Sequence, residues 1–154
     1  MENIIIRPAS FADMDTLLRF EQGVITAERP FDPTLKDDPI NYYDLAGMIE
    51  RQDIELLVAE LNGRLIGSGY ARIEEAKIYL KHPKHAYLGF MYVEPAHRGK
   101  GINQKIITAL KKWVAERNIN ELRLEVYHDN LPAIKAYEKI GFSKLMIKMR
   151  SANN

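Results

Sequence analysis

The 154-residue chain contains no cysteine. That excludes disulfides, thiolate metal sites and acyl transfer through a cysteinyl intermediate. No apolar run approaches the roughly 18 residues of a membrane span, and the first residues lack the basic-then-apolar order of a signal peptide. A cytoplasmic location is the simplest expectation, with no membrane partner. A charge imbalance is also missing, because 22 Lys and Arg stand against 21 Asp and Glu for a net charge of +1. A broad electrostatic surface for nucleic acid is therefore not expected. The 46% hydrophobic and 28% charged fractions are those of a soluble globular protein. The length suits one domain, read as residues 1–150 with a short tail at 151–154, and no repeat interrupts it. His82 and His85 stand three apart on a polar loop without acidic or sulfur neighbours, so no metal site is expected there.

What the chain does contain is a regular alternation of strand and helix signals. Asn3–Arg7 reads as a strand stopped by Pro8, and Ser10 or Asp13 caps a helix that continues through Leu17, Leu18 and Glu21 to about Arg29-Pro30. Phe31–Asn41, with Pro33, Pro39 and three aspartates, reads as a loop, and Tyr42–Arg51 as a helix. Ile54–Glu60 and Leu65–Glu74 flank Asn62-Gly63, a strong hairpin signal. Ala86–Val93 is a further strand, and Ile102–Asn118 a helix with Ile106, Ile107, Leu110, Trp113 and Val114 on one face. Glu121–Tyr127 reads as a strand parallel to the previous one, Leu131–Ile140 as a short helix stopped by Gly141, and Phe142–Arg150 as a closing strand. The expected fold is α/β, a mixed and mostly antiparallel sheet with helices on both faces.

The most informative stretch is Met91-Tyr-Val-Glu-Pro-Ala-His-Arg-Gly-Lys-Gly-Ile-Asn-Gln104. An apolar strand ends there in a basic, glycine-studded turn that opens into a helix. Unpaired N–H groups at a helix start favour an anion, and glycines let a diphosphate approach the main chain. Lys100 is followed by Gly101 and Ile102, so no Ser or Thr is placed to hold magnesium as in a nucleoside-triphosphate loop. A dinucleotide fingerprint would want glycine where Gln104 stands. What remains is R-x-x-G-x-G/A, carried by Arg98, Gly101 and, imperfectly, Asn103. A second motif follows: the strand Leu124-Glu125-Val126, then Asn130, Ala133, Tyr137, Gly141 and Phe142. With both motifs in this order, the chain resembles the GNAT superfamily of acyl-CoA-dependent N-acetyltransferases. The resemblance runs from Ile4 to the strand after Phe142, and leaves Ile25–Tyr43 unexplained.

That resemblance implies a GNAT-like sheet whose parallel strand pair splays at the cofactor site, and an enzyme that moves an acetyl group from acetyl-CoA to a primary amine in a ternary complex. Main-chain groups of Met91, Tyr92 and Val93 would pair with the pantetheine amides. Arg98, Gly99, Lys100, Gly101, Ile102, Asn103 and Gln104 would hold the diphosphate. Asn130 would meet the sulfur end of the cofactor or simply cap a helix. Tyr137 matches the family tyrosine whose hydroxyl protonates the departing thiolate, although packing on Phe142 would suit it equally as a core aromatic. Glu125, opposite in facing to Leu124 and Val126, matches a glutamate taken as general base in some members similar to protein N-terminal acetyltransferases. An ordinary strand ion pair is the alternative, and Glu94, His128 and Asp129 are rivals. Glu28, Asp32, Asp37, Asp38, Tyr42 and Tyr43 in the unexplained segment would suit a cationic small-molecule or peptide amine. A catalytically silent acyl-CoA-binding module is the competing class, and a homodimer is left open.

Overall fold

The computed structural model describes residues 3–153. A five-stranded sheet of order β1-β2-β3-β4-β5 forms its centre: β1 Ile4–Pro8, β2 Ile54–Leu61, β3 Arg64–Glu75, β4 Lys84–Val93 and β5 Leu122–Arg123. The first four strands are antiparallel and only β4 and β5 run parallel. The Asn62-Gly63 turn forms as expected, since both residues adopt positive φ, 53° and 79°, which is the backbone a tight hairpin with right-twisting strands requires.

Alternation along the strands sends apolar side chains to both faces, and helices cover each. Leu57, Ala59, Ile66, Ala86 and Leu88 meet Ile102, Ile106, Ile107, Leu110 and Val114 of α3 (Ile102–Ala115). On the opposite face Leu56, Val58, Leu65, Tyr70 and Phe90 meet Leu17 and Phe20 of α1 (Met14–Glu28) and Leu45 and Met48 of α2 (Leu45–Glu50). α4 (Leu131–Lys139) lies on the α3 side, where Tyr137, Ile140 and Phe142 pack against that core. At the sheet's first edge, the Arg7 guanidinium forks onto both oxygens of Asp13 at 2.8 and 3.0 Å and reaches Glu60 at 3.2 Å. This ties β1 to the start of α1 and to β2, and the guanidinium holds the Asp13 carboxyl below its ordinary range.

Three expectations are corrected. The helix expected from Tyr42 starts only at Leu45, because the Tyr42 and Tyr43 amides donate to the Glu21 carboxylate (2.8 and 2.7 Å) and Asp44 takes the N-cap, accepting from the Gly47 amide at 3.2 Å. The strand expected over Glu121–Tyr127 keeps ladder pairs only at Leu122 and Arg123. Phe142–Arg150 does not join the sheet at all. Its Leu145, Met146, Ile147 and Met149 are 69–88% exposed. The two-residue period of that segment was a true strand pattern, but a ladder also needs a neighbour with a free edge in reach.

One irregularity shapes the region around β4. Opposite Gly69 of β3, β4 carries the two residues Phe90 and Met91, a β-bulge, and Phe90 takes φ 54°. The consequence appears in the packing, since Gly89 and Phe90 both face the α1 side. Beside the bulge Gly67 lies against the Tyr92 carbonyl, where an added Cβ would stand 2.9 Å from that oxygen. Gly67→Ala is therefore expected to destabilise the fold by about 1–3 kcal/mol in urea unfolding, because backbone at a bulge cannot yield as a side chain would. An unchanged midpoint would show that the bulge is loose.

Candidate functional site

The β4–β5 ladder has two residue pairs, Ala86 with Leu122 and Tyr87 with Arg123, and then stops while β4 runs on to Val93. Beyond the stop the strand's outer edge is unpaired, and the bulge at Phe90 and Met91 sits within that stretch. Bulges of this kind re-aim a strand and end its pairing. Met91, Tyr92 and Val93 are half-buried along the open edge. The Val93 carbonyl accepts from Arg98 Nε at 3.0 Å, and the Arg98 guanidinium lies 5.9 Å from the Tyr92 ring centroid. Arg98 thus folds back to fasten the turn to the end of β4.

After that turn the chain is open. Gly99 and Gly101 both take φ 78°, are exposed, and have nothing within 4 Å of where a Cβ would stand. Gly101 is the N-cap of α3, and no side chain caps the helix. The amides of Ile102, Asn103 and Gln104 therefore lack intrahelical partners at the positive end of a four-turn dipole, beside exposed Lys100. Ile102 is buried in the core and anchors the turn. Asn103 buries its Oδ1 without a hydrogen-bond partner, so the residue that departs from small Gly or Ala turns its carbonyl inward. This arrangement fits a diphosphate.

On the α3 side lies Tyr137 of α4, packed against that core. Its ring packs edge-on against Phe142 with centroids 5.9 Å apart, and burial, reinforced by the charge of Glu28, pushes its phenol up to about 12. The hydroxyl thus keeps its proton at neutral pH. Asn130 serves as the N-cap of α4, its Oδ1 accepting from the Ala133 amide at 3.4 Å. Glu28 belongs to α1, on the opposite face of the sheet. Its charge nevertheless acts on the Tyr137 phenol.

On the α1 side, Tyr87, Tyr127 and Phe31, which the sequence reading missed, join Glu28, Asp32 and Glu125, which it named. The Tyr127 hydroxyl donates to Asp32 Oδ2 at 2.7 Å, and Phe31 stacks on the Tyr127 ring at 6.1 Å. The Tyr87 hydroxyl donates to Glu125 Oε1 at 3.0 Å, and the carboxylate beside it together with burial raises that phenol. Glu28 lies beside Tyr42 and Asp32, and burial, with the Asp32 charge, raises its carboxyl above the ordinary range. Asp32 is held low by hydrogen bonds from Thr34 and Tyr127. Alternation along β4 and β5 could have placed Tyr87, Glu125 and Tyr127 on one face. Nothing local could have brought Asp32 to Tyr127 across 95 positions. Of the rival bases, Glu94 is ion-paired with Arg19 at 2.6 Å, and His128 and Asp129 are exposed beside each other at 3.3 Å. Asp38 pairs with Arg29 at 2.6 Å. Among the described residues no cluster of His, Cys, Asp and Glu could hold a metal ion.

Comparison with known proteins agrees with this geometry. The sequence profile of the Acetyltransferase (GNAT) family matches residues 21–142. An N-alpha-acetyltransferase of Sulfurisphaera tokodaii is 26% identical over 147 residues, covering 92% of this chain and 81% of that protein. Among solved structures, a mutant protein from Bacillus halodurans superposes with a TM-score of 0.87 at 17% identity, covering 97% of this chain and 99% of the other. A predicted acetyltransferase from Clostridium acetobutylicum, crystallised with acetyl-CoA, superposes with a TM-score of 0.72 at 19% identity, covering 97% and 96%. At these identities the structural likeness establishes the fold.

The link between Glu28 and Tyr137 can be measured. In ¹³C-tyrosine NMR titrations to high pH, with the resonance assigned by Tyr137→Phe, Tyr137 is expected to begin ionising at lower pH in Glu28→Gln than in the parent. Removing a nearby negative charge makes phenolate formation easier. Superimposable curves would mean that the charge of Glu28 does not reach Tyr137.

Proposed function

Because the chain belongs to the GNAT acetyltransferase family, and is an acetyl-CoA-dependent N-acetyltransferase, we propose that it transfers acetyl directly to a cationic primary amine held between Glu28, Asp32, Glu125 and the tyrosines of the α1 face. Acetyl-CoA supplies the acetyl group as a thioester and departs as the thiol. The chain's own groups supply the rest. The free amides of Ile102–Gln104, the open glycines and Lys100 are suited to the diphosphate, and the unpaired edge of Met91–Val93 to the pantetheine amides as an added strand would be. The same edge can offer an N–H to a developing oxyanion. Asn130 keeps its amide nitrogen free at the start of α4.

One observation carries this reading. Tyr137 packs with the α3-side core while Glu28 belongs to α1 on the other face, yet the charge of Glu28 acts on the Tyr137 phenol. The acid for the thiolate thus stands on one side and the amine's partners on the other. An ammonium must lose a proton before it can attack. Glu28, half-buried and with its proton affinity raised, suits proton acceptance. Glu125 is exposed and accepts from Tyr87, which leaves it placed to hold the ammonium, and it is the second candidate for the base. A neighbour's name, N-alpha-acetyltransferase, adds a peptide N-terminus to the amines worth testing.

The test is thiol release from acetyl-CoA across polyamines, aminoglycosides, lysine derivatives and peptides. With no cysteine in the chain, every thiol detected comes from the cofactor. Turnover is expected with cationic amines and not with neutral ones. Tyr137→Phe should lower kcat by about 10²-fold or more while leaving KM for acetyl-CoA near the parent's. Glu28→Gln should lower kcat and move the acid limb of the pH profile, whereas Glu125→Gln should chiefly raise KM for the amine. Gly101→Ala, strained at φ 78° by about 1–2 kcal/mol, should raise KM for acetyl-CoA up to roughly tenfold. Tight acetyl-CoA binding without turnover on any amine would instead mark a silent binding module.

A further inference from the structure

A second charged site lies outside the acceptor groove, between the first turns of α1 and the Asn62-Gly63 turn. Asp13, Thr16 and Arg19 stand three apart where α1 begins and share one face of it. Arg7 near the end of β1 and Arg64 at the start of β3 stand across from them, and these five side chains line a cavity of about 320 Å³. Three guanidiniums thus share one space with a single carboxylate, an excess of two positive charges. That carboxylate is already occupied. Arg7 holds both oxygens of Asp13 at 2.8 and 3.0 Å, and Asp13 Oδ2 also accepts from the Ser10 amide at 2.8 Å. The other acids, Glu60 on Arg7 at 3.2 Å and Glu94 on Arg19 at 2.6 Å, do not belong to the cavity wall. Among the described residues no carboxylate pairs with Arg64, which is exposed.

Such a wall suits one kind of ligand. A guanidinium presents its donors as a planar fork that matches the oxygens of a phosphate, and a dianion balances the excess charge. Arg7 is committed to Asp13, Glu60 and the Pro8 carbonyl, so the grip falls to Arg19 and Arg64, with the Thr16 hydroxyl beside them. Arg19 is 53% exposed and bonds Glu94 through one nitrogen only, a surface pair weak enough to be exchanged. The volume is at the small end of small-molecule sites. We propose that this cavity binds a phosphate dianion, free or as the monoester of a small metabolite, through Arg19, Arg64 and Thr16, and that its occupancy weakens acetyl-CoA binding by drawing Arg19 from Glu94. The path between the two sites is short. Glu94 directly follows β4, its amide donates to the Ile66 carbonyl at 2.8 Å and its carbonyl accepts from the His97 amide at 2.9 Å, so it opens the turn that leads through Arg98 to Gly99. The Glu94 side chain is 14% exposed with Arg19 as its partner. Without that partner the carboxylate must turn toward water, and the turn shifts with it. By linkage, acetyl-CoA weakens the hold on phosphate by the same factor.

The binding is tested by ¹H–¹⁵N spectra of the full chain, arginine Nε–H signals included, during addition of inorganic phosphate, glycerol phosphate or, at matched ionic strength, sodium chloride. Saturable shifts are expected at residues 12–19 and 63–65 and at the Arg19 and Arg64 side chains with both phosphates and not with chloride. Tighter binding of the ester assigns the site to a phosphorylated metabolite, and equal affinity assigns it to the free ion. Shifts confined to residues 99–104, shifts reproduced by chloride, or none at all overturn the proposal. Arg64→Gln, at an exposed position outside the cofactor site, should raise the dissociation constant for phosphate about tenfold or more with an unchanged thermal midpoint. Calorimetric titration should then give a Kd for acetyl-CoA about fivefold higher in saturating phosphate than in chloride, and no such rise in Arg64→Gln. A rise of the same size in that variant would mean that phosphate competes at the diphosphate turn itself, and with an unchanged Kd in the parent it overturns the coupling.

Discussion

The interaction on which the site depends is one that stops: the parallel pairing of β4 with β5, which ends after Tyr87 and Arg123. A parallel ladder that continued would have filled the outer edge of β4 with protein hydrogen bonds and left no main-chain groups for a ligand. Two features prevent continuation. The bulge at Phe90 and Met91 turns the strand locally, and Phe90 holds a left-handed conformation that is uncommon for a bulky side chain. Its carbonyl accepts a hydrogen bond from the fully buried Ser68 hydroxyl at 3.0 Å, which offers the displaced backbone a partner inside the sheet. The irregularity is thus fixed by the interior, and the open edge is a consequence of packing and not of looseness.

Once the edge is open, electrostatics divides its two sides. The α3 side offers cationic and N–H groups: Lys100, the uncapped helix start and the phenol of Tyr137. The α1 side offers carboxylates screened by tyrosines, with Tyr43, Tyr70 and Tyr87 all raised chiefly by burial. In the function proposed, an anionic donor and a cationic acceptor would approach from opposite faces of one sheet and meet at the gap, so that neither obstructs the other's entry. The low effective dielectric among the tyrosines strengthens the hold of a carboxylate on an ammonium relative to water. Arg72, stacked on Tyr87 at 5.1 Å and paired with Glu74 at 2.6 Å, keeps a positive charge at the far end of the row.

Much of this was legible beforehand, and the reasons are local. The Asn62-Gly63 turn, the alternation of β4 and the helical period of Ile106, Leu110 and Val114 each encode their own conformation, so the mixed, mostly antiparallel sheet and its two covered faces follow from the sequence. The glycine turn and the Tyr137 motif were legible for the same reason, since a helix start and a short strand–helix unit are contiguous. The acceptor side was legible only in part: Glu28 and Asp32 stood out as acids in one segment, but Tyr87 and Tyr127 come from other elements and acquire meaning only when these meet. The bulge was invisible too: nothing in Gly-Phe-Met distinguishes an extra residue from a regular one. The final strand was misplaced because its pattern describes what the segment needs and not where the partner edge lies.

The course of the segment after α1 rests on one buried glutamate. Glu21 is fully buried on α1, its Oε2 accepts the Tyr42 and Tyr43 amides at 2.8 and 2.7 Å, and its Oε1 has no partner. A buried carboxylate satisfied on one oxygen only is costly to the fold, so its retention needs a reason beyond stability. With Gln22 bound to the Ile40 carbonyl at 2.9 Å and Arg29 to that of Lys36 at 2.8 Å, it fastens the irregular segment after α1 at three points. That segment contains no regular helix or strand between Phe31 and Leu45 and would otherwise have many backbone arrangements of similar free energy. The clamp selects one of them, the one that sets Tyr42 beside Glu28 and brings Asp32 to Tyr127. A glutamate on α1 thus decides where the side chains proposed to meet the amine stand.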